Sequence, residues 1–131
     1  MRSVIDYSLA RRAALAGLFS GRVSATEACD AHPYLLRAAR FHGETTDRAC
    51  PVCRNHPLTL VTYVYGDELG EASGRVRPSR EIDRLEDQYA ELAVYVVEVC
   101  QGCAWNHLTT SYVVGPGEQR VRRARRRAAE E

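Results

Sequence analysis

Two short cysteine pairs constrain this chain more than any other feature of its sequence. They are Cys50-Pro-Val-Cys53 and Cys100-Gln-Gly-Cys103. A two-residue spacer lets a tight turn aim both sulfurs of a pair at one point, and four thiolates complete the tetrahedral shell of a structural zinc site. We therefore predict one structural Zn2+ ion, held by Cys50, Cys53, Cys100 and Cys103.

The two pairs are far apart along the chain. Between Cys53 and Cys100 lie 46 residues, against roughly 15 to 20 in a compact zinc ribbon. The entropy cost of closing a loop grows only with the logarithm of its length, so a long insertion weakens the site little. The spacing is therefore compatible with a single metal site.

Three stretches rich in β-branched and aromatic residues flank the pairs and predict strands. They cover residues 58–65, 92–99 and 108–114. Each cysteine pair with its tight turn is called a knuckle. The order of knuckle, strand, strand, knuckle, strand is typical of a zinc ribbon. The expected fold class is α+β: a small three-stranded antiparallel zinc ribbon with an N-terminal bundle of short helices and an inserted helix.

The N-terminal third of the chain predicts three short helices. Residues 8–19 are rich in good helix formers. Ser24 and Glu27 match a capping box, which predicts a second helix over residues 25–31. The third covers residues 33–41, with a proline in its first turn.

Arg37 and Arg40 lie on this third helix, and two interpretations of it remain open. In a helix-turn-helix, both arginines would face phosphate. Alternatively, the apolar residues of the helix pack on the ribbon while both arginines are solvated. We favour the second interpretation, because helical spacing of apolar residues usually marks a core face. The apolar residues are Leu35, Leu36, Ala38, Ala39 and Phe41.

The insertion covers residues 66–90. It begins with a glycine-rich, charged loop over residues 66–78 and continues with a helix over residues 79–89. Ile82 and Leu85 share one stripe of this helix, and most of its acidic residues lie off that stripe. The acidic face either meets a basic partner or is simply solvated.

Residues 118–131 form an arginine-rich tail. Like charges at such density repel, so we expect disorder when the tail is free and ordering on RNA, DNA or an acidic protein surface. A solubilising terminus without a partner is equally compatible. The expected organisation is a helical segment over residues 1–43, a zinc-ribbon domain over residues 44–117, and this tail. The tail arginines are Arg120, Arg122, Arg123, Arg125, Arg126 and Arg127.

The net charge of +1 hides a segregation of charge, and all 18 basic residues are arginines. Residues 1–42 hold six arginines and three acids (+3), residues 43–117 six arginines and eleven acids (−5), and residues 118–131 six arginines and three acids (+3). Arginine makes bidentate contacts to phosphate and carboxylate. Basic ends around an acidic middle permit nucleic-acid contact or self-association.

The N-terminal sequence carries neither a membrane span nor a signal peptide in our interpretation. No apolar run approaches 18 residues, and Arg11 and Arg12 interrupt the only apolar stretch near the start. We therefore expect a cytoplasmic domain with no membrane contact, in which a disulfide framework is disfavoured.

Three residues within four positions of a cysteine pair, His56, His107 and Trp105, are candidates for a role at the site. His56 and His107 either replace a ligand or donate a hydrogen bond to a zinc-bound sulfur, and the second role is favoured because four thiolates already fill a tetrahedron. Cys29 is expected to be a small buried hydrophobe rather than a nucleophile. Trp105 either shields the site from water or, if exposed, stacks on a base.

Together with the cysteine pairs, the segment Asp30-Ala-His-Pro-Tyr-Leu-Leu-Arg-Ala-Ala-Arg-Phe41 resembles a family of small uncharacterised actinobacterial proteins with a predicted zinc ribbon. The resemblance covers about residues 4–115 and leaves the tail outside. It implies a metal site and brings no established activity. The knuckles also look like those of zinc ribbons in transcription and translation machinery, a likeness at the level of fold.

These features predict a non-enzymatic structural-zinc module that docks on a transcription- or ribosome-associated nucleic-acid machine, with no small-molecule substrate. The candidate contact residues are Arg37, Arg40 and the tail arginines. One alternative is an enzyme, either thiol redox or zinc-dependent, that uses a cysteine pair with His56 or His107. The other is an adaptor that binds protein alone. A thioredoxin-like site is disfavoured because the prolines around the first pair oppose a helix there.

Overall fold

The computed structural model describes residues 1–117, and the predicted arginine-rich tail lies outside this range. The helices are α1 (Ser8–Phe19), α2 (Ala25–Ala28), α3 (Pro33–His42) and α4 (Ile82–Gln88). The strands are β1 (Arg2–Asp6), β2 (Glu44–Ala49), β3 (Pro57–Tyr65), β4 (Arg75–Val76), β5 (Leu92–Cys100) and β6 (Asn106–Val114). Two short 3-10 helices, Asp67–Ala72 and Ser79–Glu81, lie in the insertion.

All six strands belong to one antiparallel sheet with the order β1-β6-β5-β3-β2, and β4 continues the outer edge of β3 beyond β2. The long strands β3, β5 and β6 form its centre. Leu58 at the start of β3 pairs with Cys100 at the end of β5. The turn between β2 and β3 and the turn between β5 and β6 therefore meet at the same end of the sheet.

The three predicted strands are present, but the predicted three-stranded ribbon is wrong in extent, since the sheet has six strands. The sequence of β2 is polar and charged, and β1 is exposed along its whole length. Edge strands bury little surface, so they lack the apolar alternation that marks central strands. With only two residues, β4 leaves no pattern at all.

The three N-terminal helices form where the sequence predicts them. The capping box is made on both sides, as Glu27 N donates to Ser24 Oγ at 3.2 Å and Ser24 N donates to Glu27 Oε2 at 3.4 Å. Helix α2 is shorter than predicted because Cys29 leaves the helical conformation, with ψ of 70°. Residues 1–43 are also not wholly helical, since β1 opens them as an edge of the sheet.

The predicted helical bundle does not form, because the helices cover opposite faces of the sheet. Helices α1 and α2 pack near Leu58 and Cys100, whereas α3 packs on Val61 and Val99. Even and odd positions of one strand point to opposite faces. Most of the predicted packing residues of α3 contact the sheet, but Phe41 is 65% exposed, so its assignment to the core was wrong.

The insertion builds the core at the other end of the sheet. Leu69 of the first 3-10 helix and Ile82 and Leu85 of α4 are buried against strand residues. These strand residues are Val64, Leu92, Val94 and Val114. The segment expected to be a loop over residues 66–78 thus contains a 3-10 helix and β4, and it contributes to the main fold.

Within residues 1–117, no helix is both long enough and apolar enough to cross a bilayer.

Candidate metal centre

The two cysteine pairs lie in a matched pair of turns, the first knuckle (residues 50–54) and the second knuckle (residues 100–104). The backbone N–H of Arg54 donates to the carbonyl of Cys50 at 3.0 Å, and that of Ala104 donates to the carbonyl of Cys100 at 2.9 Å. Arg54 and Ala104 both adopt left-handed backbone conformations, with φ of 58° and 69°. This conformation is unfavourable for a residue with a Cβ atom, so both turns hold the same strained shape.

The knuckles bring all four predicted cysteines together. Their sulfurs lie within 4.8 Å of one another, with Cys50 Sγ 3.7 Å from Cys103 Sγ and Cys53 Sγ 3.6 Å from Cys100 Sγ. Four sulfurs bound to one zinc at about 2.3 Å would be about 3.8 Å apart in an ideal tetrahedron. The cysteines are free thiols rather than disulfides. The donor set and its spacing therefore fit a closed tetrahedral metal site.

Because the cluster is buried, its thiolate forms are disfavoured unless a cation compensates their charge. Cys50 and Cys100 are fully buried. Burial raises the pKa of the Cys100 and Cys103 thiols, because a thiolate loses its hydration inside the protein. Four thiolates this close would also repel one another, and a divalent cation would compensate both costs. Backbone N–H groups of Val52 and Cys103 donate to Cys50 Sγ and Cys100 Sγ, each at 3.4 Å.

His56 lies beside the cluster, where the sequence placed it. Its Nδ1 is 3.7 Å from Cys53 Sγ, and this contact lowers the pKa of Cys53 to about 6. The imidazole ring lies over Gly102, where a Cβ atom would collide with it. A histidine of the first knuckle thus packs on the second knuckle, and Gly102 is required for this contact.

A buried tryptophan and carboxylate close the site on its inner side. Trp105 is 2% exposed and packs on Cys50 and Cys100, so it shields the sulfurs from water. Its Nε1 donates to Glu98 Oε2 at 3.0 Å, and Arg11 Nε donates to Glu98 Oε1 at 2.8 Å. Glu98 is 1% exposed, and its two hydrogen bonds link α1 to Trp105 beside the cysteine cluster. On β5, Glu98 shares the same side of the strand as Val94, Val96 and Cys100. This alternation indicates a buried glutamate, which sequence reasoning missed.

Cys29 borders the cluster, which the sequence did not indicate. Its Sγ is 3.8 Å from Cys103 Sγ and half-buried, but it is not among the four mutually close sulfurs. The segment after Cys29 is fixed to the second knuckle, since Ala31 N donates to the carbonyl of Ala104 at 3.0 Å. Cys29 therefore packs against the cysteine cluster without belonging to it.

The other candidate residues lie away from the sulfurs. The ring of His107 stacks on Trp105 with centroids 6.0 Å apart, and its Nδ1 lies 2.7 Å from the carbonyl oxygen of Leu108. Arg37 and Arg40 lie on exposed positions of α3 and not at the cysteines. The tail candidates are outside the described residues.

Comparison with known proteins gives a family and no activity. A family model described as "Family of unknown function (DUF5318)" matches residues 1–129. Uncharacterized protein Mb0050 of Mycobacterium bovis and uncharacterized proteins MT0055 and Rv0049 of Mycobacterium tuberculosis are each 52% identical to the chain over 111 residues. Each alignment covers 85% of this chain and 81% of the relative. No solved structure is significantly similar to the chain.

These matches confirm the predicted resemblance to an uncharacterised actinobacterial family. The match to the family model continues to residue 129. It therefore includes most of the arginine-rich tail, which we expected to lie outside the resemblance.

Proposed function

The chain belongs to DUF5318, a family of unknown function, and we propose that it is a non-enzymatic module that docks on a nucleic-acid machine of transcription or translation. One structural Zn2+ ion would hold its knuckles together. Docking would use protein contacts, nucleic-acid contacts or both. The observation that carries the structural part of the proposal is the closed cluster of four cysteine sulfurs.

The chemistry of the donor set supports a structural rather than a catalytic role. A catalytic zinc site has three protein ligands and leaves one position for water or substrate. Here four thiols form the cluster, two of them are fully buried, and Trp105 packs against it. A bound zinc ion would fix the relative position of the β2–β3 and β5–β6 turns and would offer no position for a substrate.

The distribution of arginine supports the docking part. Arg37 and Arg40 are exposed on α3, which contains no acidic residue. Neither forms a salt bridge within residues 1–117. Six more arginines follow in residues 118–131. Arginines at these places would attract a polyanion such as RNA or DNA.

Metal and thiol analysis of the purified full chain tests the structural part. We expect one tightly bound zinc per chain, with four thiols protected from a thiol reagent and the fifth, Cys29, reacting first. A chain that folds without metal and exposes all five thiols would contradict a structural zinc site.

Recovery from cell extract tests the docking part. The immobilised chain is incubated with extract that has or has not been treated with nuclease, and nucleic acid and ribosomal or polymerase subunits are measured. We expect association with a nucleic-acid-containing assembly. Recovery of neither nucleic acid nor such subunits, at low salt and from untreated extract, would contradict docking.

One observation favours thiol redox chemistry as a second candidate function. The contact with His56 lowers the pKa of Cys53 to about 6, so in a metal-free chain this thiol would be largely ionised at neutral pH and nucleophilic. A metal-free native protein in which Cys53 reacts much faster than the other cysteines would favour this candidate. Stoichiometric zinc with a slowly reacting Cys53 would exclude it.

A further inference from the structure

The outer face of α3 exposes two aromatic rings, one of which, that of Tyr34, lies 4.8 Å from the ring of His32. We define this face by Tyr34, Arg37, Arg40 and Phe41. Tyr34 is 71% exposed and Phe41 is 65% exposed, although the opposite side of the same helix packs on Val61 and Val99. Large exposed apolar patches rimmed by polar residues mark interaction sites.

Each ring is paired with an arginine. The guanidinium carbon of Arg37 lies 5.9 Å from the ring centroid of Tyr34, and that of Arg40 lies 5.3 Å from the centroid of Phe41. These are cation–π distances. Because neither arginine has a carboxylate partner within the described residues, both keep their positive charge for an external anion.

A cleft lies between this face and the second knuckle. It has a volume of about 260 Å3 and is lined by Leu36, Arg37, Arg40, Phe41 and Gln101. The side-chain amide of Gln101 donates to Thr59 Oγ1 at 3.0 Å, so the residue next to Cys100 is held in place by the sheet. The metal centre and the cleft therefore share one rigid turn.

We propose that the outer face of α3 binds single-stranded nucleic acid, with unpaired bases stacked on Tyr34 and Phe41 and with phosphates bound by Arg37 and Arg40. This inference rests on the proposed function and specifies the ligand of its docking surface. Stacking on aromatic rings combined with arginine contacts to the backbone is the chemistry by which proteins hold single strands.

The geometry of the face excludes a paired duplex as its preferred ligand. Bases in a duplex are stacked inside the helix and cannot reach rings on a protein surface. Tyr34 and Phe41 are seven residues apart, which corresponds to about 10.5 Å along an α-helix. Neighbouring stacked bases are only about 3.4 Å apart. The two rings can therefore each contact a different base of one strand.

Fluorescence anisotropy of the zinc-loaded full chain tests this proposal. The probes are a labelled 12-nucleotide oligo(U), the matching oligo(dT), and a 12-base-pair DNA duplex. We expect tighter binding to the single strands than to the duplex. The Tyr34→Ala and Phe41→Ala variants should each weaken single-strand affinity between about fivefold and a hundredfold, while Tyr34→Phe should retain it.

Matched variants separate stacking from charge. Arg37→Gln and Arg40→Gln should each reduce the dependence of log affinity on log salt concentration by about 0.7, whereas the two alanine variants should leave that slope unchanged. Phe19→Ala is the control for stacking, because Phe19 is 63% exposed on a different helix. Arg12→Gln, on the same helix as Phe19 and also exposed, is the control for charge. Unchanged melting temperatures would show that every variant is folded.

The possible failures are distinguishable. If the wild-type chain binds none of the probes at 50 mM salt, nucleic-acid contact by this chain and the surface proposed here are both wrong, and a protein partner remains for docking. If the wild-type chain binds but the Tyr34 and Phe41 variants bind equally well, or if the duplex binds as tightly as the single strands, only the assignment of this surface is overturned.

Discussion

The two ends of the sheet are stabilised by different chemistry. At the knuckle end, four cysteine sulfurs that could hold a metal ion lie beside Trp105 and the buried Glu98. At the distal end, Val64, Leu92 and Val94 pack with α4 in a hydrophobic core. The same strands, β3 and β5, run through both ends.

This difference indicates what the long insertion contributes to the fold, namely a second hydrophobic core. A compact two-knuckle ribbon has little apolar surface to bury, and small domains of that kind usually need a metal or disulfides to fold. Here Leu69, Ile82 and Leu85 of the insertion complete a second core at the end of the sheet opposite the cysteines. A metal bound by the four cysteines would therefore fix one end of a sheet whose other end is held by hydrophobic burial, and substitutions at each end test this division.

Loss of one ligand at the knuckle end should have the largest effect. Cys50→Ser leaves three thiolates, and binding energies on the order of 10 kcal/mol for structural zinc become folding energy. We expect the variant to lose zinc and to be unfolded at 25 °C, as measured by metal content and circular dichroism. Hydrogen exchange at Val64 and Val94 reports whether the distal core survives alone.

Cys29→Ser is the matched control, because Cys29 contacts Cys103 but is outside the cluster of four. This variant should keep one zinc and its melting temperature should change by only a few degrees. A folded, zinc-free Cys50→Ser chain with an unchanged melting curve would show that the metal does not hold the knuckle end.

A truncation in the distal core should have the next largest effect. Leu92 is fully buried at that end, and Leu92→Ala should lower the free energy of unfolding by about 3 kcal/mol, since it removes buried methyl groups and leaves a cavity. Zinc affinity of the folded chain should stay the same. Urea unfolding at saturating zinc measures the first quantity and competition with a chromophoric chelator the second. Equal losses in both would show that the ends are not separable.

Acid should weaken the knuckle end specifically. Burial raises the pKa of Cys100 and Cys103, so without metal both thiols hold their protons at neutral pH, and zinc must displace them. Affinity therefore falls as pH falls, by at least about a hundredfold per pH unit for two displaced protons, equal to about 2.7 kcal/mol. Chelator competition from about pH 5 to pH 7.5 measures this slope.

Cys53 adds a second feature to the same titration. Because its pKa is lowered to about 6 by His56, it is already ionised above that pH and takes up a proton only below it. The slope should therefore steepen below about pH 6, and His56→Ala should move that point to higher pH. An affinity that does not change between pH 6.5 and 7.5 would contradict thiolate ligation.

The sequence predicts the centre of the molecule better than its borders, for a physical reason. The cysteine spacing identified four residues whose sulfurs converge, and the β-branched runs identified β3, β5 and β6. These signals are local, since a tight turn and a buried strand each require particular residues. Edge strands such as β1 and β2 require only an exposed backbone edge to pair with, so almost any polar sequence satisfies them.

Other features of the site depend on contacts between distant parts of the chain. Glu98 is buried because Arg11 and Trp105 both donate to it, and an isolated glutamate in an apolar strand does not reveal these partners. Phe41 lies seven residues after Tyr34 and therefore shares the exposed outer side of α3. Leu35, Leu36 and Ala39 form the side that contacts the sheet. An apolar residue outside that buried stripe stays exposed, so hydrophobicity alone does not place it in the core.

The smallest expected effect is that of an alanine-to-glycine substitution, which should change the free energy of unfolding in opposite directions at the two ends of the sheet. Ala104 in the second knuckle has φ of 69°, which costs an alanine about 1–2 kcal/mol, and glycine relieves this strain at the expense of greater freedom in the unfolded chain. Ala104→Gly should therefore raise the free energy of unfolding by about 0.5–1 kcal/mol. Ala93→Gly, in the distal half of β5, should lower it by a similar amount. Urea unfolding with saturating zinc measures both, and two losses would mean that the knuckle is not strained at Ala104.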